Sequence, residues 1–182
     1  SSGIQSIPLI AEQASQLTVF QRTANYAAPA NNGPVRPEHR EKLNADREAY
    51  REEGRWSRAG VPLPRSEEPY SSVNLEERQR RLEAGFAQGD LLTINSSFSD
   101  LVTNAAANES VQEFFRDKVR AKVTDPKTAE DLCAKDFPLF TKRLCLETNY
   151  FKTFNLPHTK LVNLRRTPIA SITETGIDTT DE

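Results

Sequence analysis

Gly3, Arg22, Thr23 and the adjacent pair Lys142-Arg143 are the residues whose types and spacing carry chemistry in this chain of 182 residues. The chain opens Ser1-Ser2-Gly3-Ile4-Gln5 and runs directly into an apolar pattern of helical period. A glycine ahead of a helix lets the backbone come close to a phosphate, and the free N–H groups and dipole of the helix N-terminus favour negative charge there. The same residues also make a plain N-cap, and the residues alone leave both readings open. Leu17-Thr18-Val19-Phe20, β-branched and aromatic, reads as a buried strand that ends in Gln21-Arg22-Thr23. In a nucleotide-binding βαβ unit, the residue closing the second strand lies about 20 positions after the glycine turn and reads the adenosine ribose. An acidic residue there accepts from a 2′-hydroxyl; the fork of Arg22 can instead grip a 2′-phosphate, with Thr23 adding a donor. That chemistry prefers NADP to NAD. A solvated arginine after a strand gives the same local sequence, and Lys142-Arg143 has the same second reading, a basic pair in water.

The elements that must position these residues follow from periodicity. Ile4, Ile7, Leu9, Ile10 and Ala14 predict a helix over 4–16, with Pro8 near its first turn. Residues 27–37 have linker composition. Pro37 opens a charged, mostly solvated helix through Glu53, and an irregular loop over 54–72 holds Trp56, the only tryptophan. Asn74 and Glu77 form a capping-box-like start ahead of Leu75, Leu82 and Phe86. The clearest helix is Glu109–Val123, with Val111, Phe114, Phe115, Val119 and Val123 on one face. Asp125-Pro126 caps a short helix through Leu132. Strand-like runs return at Arg143–Glu147, Lys160–Leu164 and Ile169–Ile172. The order is α/β, then helical, then β, the pattern of a helical insertion into an α/β domain.

Composition narrows the function. With 24 basic and 26 acidic residues the net charge is −2, so nothing draws the chain as a whole to nucleic acid or an anionic membrane. No apolar run approaches the roughly 20 residues of a membrane span. Cys133 and Cys145 are too few for a disulfide framework and lack metal-ligand spacing, which indicates a reducing, cytoplasmic setting and no metal. Cys145 follows the basic pair but is expected to be structural. The Asn-x-Ser sequons at Asn95 and Asn108 read as chance. The absence of methionine, with the start at Ser1-Ser2-Gly3, reads as an internal fragment.

SSGIQSIPLIAEQASQLTVFQRTANY resembles the NADPH-domain signature of Baeyer–Villiger monooxygenases, a branch of the class B flavoprotein monooxygenases. KDFPLFTKRLCLETNYFKTFNLPHTKLVNLRRTPIASITETGI resembles the segment that follows the family's helical insert, and SVQEFFRDKVRAKV with DPKTAEDL looks like the end of that insert. The resemblance implies a partial Rossmann-type NADP-binding α/β domain with a mainly helical insertion: residues 1–28 and 136–182 form the NADPH domain and 29–135 the insertion. It implies FAD and NADPH as cofactors, a small ketone and O2 as substrates, and insertion of one oxygen atom by way of a flavin C4a-peroxide to give an ester or lactone. Ser2, Gly3 and Gln5 match positions around the NADP pyrophosphate and nicotinamide side. Arg22, Thr23 and Lys142 match the 2′-phosphate clamp, and Arg143 matches the active-site arginine. A guanidinium suits that last place because it stays charged at any working pH and donates several hydrogen bonds to developing negative oxygen. The sequence departs from the family at Phe140, where glycine is frequent, at Ala24, where proline is frequent, and at Asn149-Tyr150-Phe151 in place of Gly-Tyr-Tyr. Other expectations are an N-hydroxylating or sulfoxidising flavin monooxygenase of the same architecture, and a non-catalytic helical interaction module.

Overall fold

The computed structural model describes residues 2–57, 60–62, 65–89 and 92–181. Ser1 of the opening turn, and 58, 59, 63 and 64 of the expected loop, lie outside them. In chain order the elements are helix α1 (Ser2–Ala11), strands β1 (Leu17–Gln21) and β2 (Ala27–Pro29), helices α2 (Pro37–Ala45) and α3 (Arg47–Trp56), and a 3-10 turn at Tyr70–Ser72. There follow α4 (Leu75–Gln88), α5 (Thr93–Ser96), α6 (Ala105–Lys122), α7 (Pro126–Leu132), β3 (Cys145–Glu147), α8 (Tyr150–Thr153), β4 (Thr159–Asn163), β5 (Ile169–Ile172) and β6 (Ile177–Thr179). This is the mixed α/β frame with a helical middle that the sequence order implies.

Two parallel pairings fold the ends of the chain together. β1 lies beside β4, Leu17 opposite Thr159 through Gln21 opposite Asn163. β2 lies beside β3, Ala27 opposite Cys145 and Pro29 opposite Glu147. Among the described residues β1 pairs only with β4 and β3 only with β2, so each keeps one edge without a strand partner. β5 and β6 form a separate antiparallel hairpin.

Successive strand residues face opposite ways, and the segment entering β2 uses both faces. Ala24, Tyr26 and Ala28 join Leu82, Phe86, Ile94, Phe98, Val111 and Phe115 in one core. Ala27 joins Ile4, Val123, Leu132, Tyr150 and Phe151 in a second. α6 serves both: Val111, Phe114 and Phe115 enter the first and Val119 the second. All five residues expected on its apolar face are buried. Phe86, Phe114 and Phe115 meet edge to face with centroids 5.6 to 6.1 Å apart, the arrangement favoured by the ring quadrupoles.

Several expected boundaries move. α1 starts at Ser2 rather than 4 and stops at Ala11 rather than 16; with that start Pro8 falls in its second turn and the Ile4 carbonyl loses a helical donor. Ile4, Pro8 and Ala11 form the buried face, while Leu9 and Ile10 turn to solvent. The single helix expected from Pro37 to Glu53 is two helices. Asp46 breaks it: its backbone is extended and its carboxylate accepts from Glu48 N and Ala49 N at 3.1 and 2.9 Å, capping α3. α3 then runs to Trp56, which is helical and exposed rather than in a loop. Asn74 caps α4 through Glu77 N at 2.9 Å, as its spacing implies, but Leu75 is exposed. Asp125 caps α7 through Thr128 N at 2.7 Å. The strand expected from Arg143 starts only at Cys145.

Glu130 on α7 accepts from Arg120 Nε and Lys135 Nζ, each at 2.6 Å, and these hydrogen bonds hold its carboxyl down to about 2. A folded-state value below the unfolded one gives stability that is complete above about pH 5 and lost as pH falls towards about 2. Glu130→Gln is therefore expected to flatten the acid limb of stability between those limits in urea unfolding. The group is nearly half exposed, so the cost at pH 7 is under about 1 kcal/mol.

Candidate functional site

The N-terminus of α1 and the end of β1 meet in one cleft. Gly3 lies in the first turn of α1, and a Cβ added there would meet no heavy atom within 4 Å. The cleft, about 330 Å³, is lined by Gly3, Ile4, Arg22, Thr23, Asn25 and Tyr150 among others. Parallel pairing with β4 fixes β1 as far as Gln21, so Arg22 and Thr23 leave a rigid strand end. A second cleft of about 480 Å³ is lined by Gln5, Asn25, Lys142, Arg143, Leu144, Cys145 and Leu146. Asn25 lines both. The fold thus brings Gly3, Arg22 and Thr23 into one cleft, and Gln5, Lys142 and Arg143 into its neighbour. Ser2 is exposed at the start of α1 and lines neither.

The cationic groups are differently held. Arg22 and Arg143 are exposed, and neither has an ion-pair or hydrogen-bond partner for its guanidinium among the described residues. By contrast Arg81, Arg116 and Arg120 are each locked to two or more carboxylates. Lys142 places its Nζ over the Phe137 ring, 4.1 Å from the centroid, a cation–π contact that leaves its N–H donors free to turn outward.

Between the clefts, Asn25 Nδ2 lies 3.2 Å from Cys145 Sγ and 3.4 Å from the carbonyl oxygen of Arg143. Its Oδ1 is buried with no hydrogen-bond partner among the described residues. Cys145 N donates to Tyr26 O at 3.1 Å, joining the segment after Arg22 to the segment after Arg143. Both cysteines are buried and neither is in a disulfide, and burial raises the pKa of the Cys133 thiol. His158 caps the far end of α1 through Ala11 O at 2.9 Å and stands apart from both clefts. Among the described residues no three His, Cys, Asp or Glu side chains cluster as a metal site, and no helix is long and apolar enough to cross a membrane.

The turn that presents Lys142 and Arg143 has a left-handed residue in it. Phe140 has φ +69°, and Thr141 closes the turn with its N–H and hydroxyl on Pro138 O at 3.3 and 2.7 Å. Asn149 has φ +59°. These are two positions at which the resembled family often carries glycine, the residue without a steric penalty in that region.

The sequence reading passed over a group of polar residues behind this turn. On α6, Asn108, Gln112 and Arg116 recur at four-residue spacing, and all three are buried. Asn108 donates to Leu101 O and Leu139 O at 2.8 and 3.1 Å and accepts from Leu139 N and Gln112 Nε2 at 3.0 and 2.9 Å. Its burial removes it as a glycosylation acceptor. The signal that marks this group is a polar stripe at helical spacing directly beside an apolar one.

The fold is that of a partial Rossmann-type α/β unit with a mainly helical insertion. No protein-family model matches the chain. It is 35% identical over 181 residues to 2-oxo-Δ3-4,5,5-trimethylcyclopentenylacetyl-CoA monooxygenase of Pseudomonas putida, covering all of this chain and 33% of that protein. It is 34% identical to cyclohexanone 1,2-monooxygenase of an Acinetobacter species, covering 97% of this chain and 32% of that one. The solved structure of an oxidized steroid monooxygenase bound to NADP superposes with TM-score 0.92 at 42% identity, over 100% of this chain and 35% of that one. The chain is thus similar over its whole length to Baeyer–Villiger monooxygenases and spans about a third of the length of the curated relatives it matches.

Phe140 supplies a local test. Phe140→Ala loses ring packing and keeps the strained backbone, whereas Phe140→Gly loses the packing and relieves the strain. Glycine is therefore expected to be the more stable of the two by about 1 kcal/mol, the reverse of the helix order. Thermal unfolding of both variants measures this, and an alanine variant more stable than the glycine variant contradicts the backbone assignment.

Proposed function

We propose that the protein containing this chain is an FAD- and NADPH-dependent monooxygenase that inserts one oxygen atom from O2 into a small ketone to give an ester or lactone. In this reading residues 1–28 and 136–182 belong to the NADPH domain and 29–135 to its insertion, and the setting is cytoplasmic, in keeping with two cysteines outside any disulfide. The observation that carries it is the pair of adjoining clefts, one lined by Arg22 and the other by Arg143, neither guanidinium paired among the described residues.

The residues present suit the dinucleotide. Open space around Gly3 admits a phosphate against the helix N-terminus. Among the described residues no carboxylate neutralises Arg22, and the Oδ1 of Asn25, without a partner there, awaits a donor between the clefts. In this reading Arg22, Thr23 and Lys142 would hold the 2′-phosphate; Gly3 and Gln5, with Ser2 exposed beside them at the start of α1, would hold the pyrophosphate and nicotinamide side. When bound, FAD and NADPH supply the reducing electrons and the activation of O2. Arg143 contributes a fixed positive charge where negative oxygen builds up during attack on the carbonyl, and its several N–H donors orient that oxygen. A lysine there holds its charge less securely once water is excluded.

One observation favours a second reading. The chain is also 35% identical over its whole length to the phenazine N-monooxygenase PhzNO1 of Lysobacter antibioticus. Oxidation of a ring nitrogen therefore stands beside ketone oxidation, and product analysis with a cyclic ketone and with phenazine separates the two.

Steady-state kinetics on the full-length enzyme test the assignments. Charge-assisted hydrogen bonds are worth about 1.5–3 kcal/mol each. Arg22→Ala and Lys142→Ala are thus expected to raise KM for NADPH by about 10- to 100-fold with little change for NADH. Arg143→Ala is expected to lower product formation by about 10²- to 10³-fold. Undiminished preference for NADPH in the Arg22 variant would remove the 2′-phosphate assignment.

A further inference from the structure

We propose that the buried polar network on α6 is a positioning device for the coenzyme, and that Tyr26 and Asn108 are its positioning residues. Its task is to set the distance between Arg22 and the Lys142-Arg143 pair, and so the discrimination of a 2′-phosphorylated dinucleotide from its dephospho form. The inference rests on the assignment of those cations to the dinucleotide.

The network touches both cation-bearing segments. Tyr26, four residues after Arg22, donates its hydroxyl to Gln112 Oε1 at 2.7 Å and lies 3.3 Å from Phe137 O. Gln112 Nε2 donates to Asn108 Oδ1 at 2.9 Å. Asn108 in turn grips both backbone groups of Leu139, three residues before Lys142. Arg116 Nη1 reaches Ala134 O at 3.4 Å, further back on the same incoming segment. The segment 134–139 is therefore held at both ends by side chains of α6 and between them by Tyr26, and the residue that follows it is the left-handed Phe140. Phe137, whose carbonyl faces Tyr26, is also the ring beneath Lys142 Nζ.

The chemistry explains why such a network is kept inside. Buried, fully partnered polar groups fix one geometry, because any shift strands a donor or acceptor away from water. An apolar core would hold the two segments near each other with less definition of register. Burial has pushed the Tyr26 hydroxyl up to about 12 against the opposing influence of Arg116, so it remains a neutral donor through the working pH range.

The test uses the full-length enzyme and the ratio of its dissociation constants for NAD+ and NADP+, with thermal unfolding measured beside it. Tyr26→Phe removes one hydroxyl and no ring, so the variant is expected to fold. Its NADP+ affinity is expected to fall about five- to tenfold and its NAD+ affinity less than twofold. Asn108→Ser is expected to act in the same direction and more strongly. Arg22→Ala serves as the reference. If Arg22→Ala abolishes discrimination and a folded Tyr26→Phe changes the ratio by less than twofold, the network is only structural and the proposal is overturned. If Arg22→Ala itself leaves discrimination intact, the site assignment fails and the positioning role fails with it. A lower melting temperature with an unchanged ratio also counts against positioning.

Discussion

The carboxamide of Asn108 is the interaction on which the arrangement turns. It makes four hydrogen bonds inside the protein, two of them to the backbone of Leu139, and thereby does for an irregular segment what a strand partner does for a strand. Without such partners the run from Ala134 to Leu139 would bury peptide groups at a cost, or swing out to water. With them, the cationic pair emerges at one place relative to α6, and α6 is itself fixed by a core of interlocking aromatic rings.

The second constraint is topological. Parallel pairing requires a long crossover, and here the crossover between β2 and β3 contains the whole helical middle of the chain. The insertion is thus the connection that delivers Lys142 and Arg143 to the start of β3, in the cleft next to the one that Arg22 lines. Gly89 shows how tightly it is seated: its backbone is left-handed, and a Cβ there would fall 2.4 Å from the carbonyl oxygen of Pro29, the last residue of β2.

What the sequence revealed, and what it hid, follows from the range of the forces involved. β1, α6 and α7 were legible because period, β-branching and capping are local: Leu17–Phe20, the apolar face of α6 and Asp125-Pro126 each declare themselves within a few residues. The break at Asp46 was not legible, because an aspartate in a charged run looks like a helix surface until its carboxylate is seen to cap Glu48 and Ala49. The glycine, arginine and basic pair were readable as a dinucleotide set only by joining both ends of the chain through a family resemblance. Asn108 was seen only as part of a chance sequon, since nothing local distinguishes an exposed asparagine from one that grips Leu139, 31 residues away.

The division of α6 between two cores has a consequence for how the molecule breathes. Its N-terminal half is packed among the insertion helices and its C-terminal half among α1, α7 and α8. A fluctuation that frees this helix must loosen both regions together, so neither can melt while the other keeps its order. Amide protons in the middle of α6 should accordingly exchange with solvent only through the rarest, most global opening, while those of α2 and α3, which bury almost nothing, exchange through local fraying.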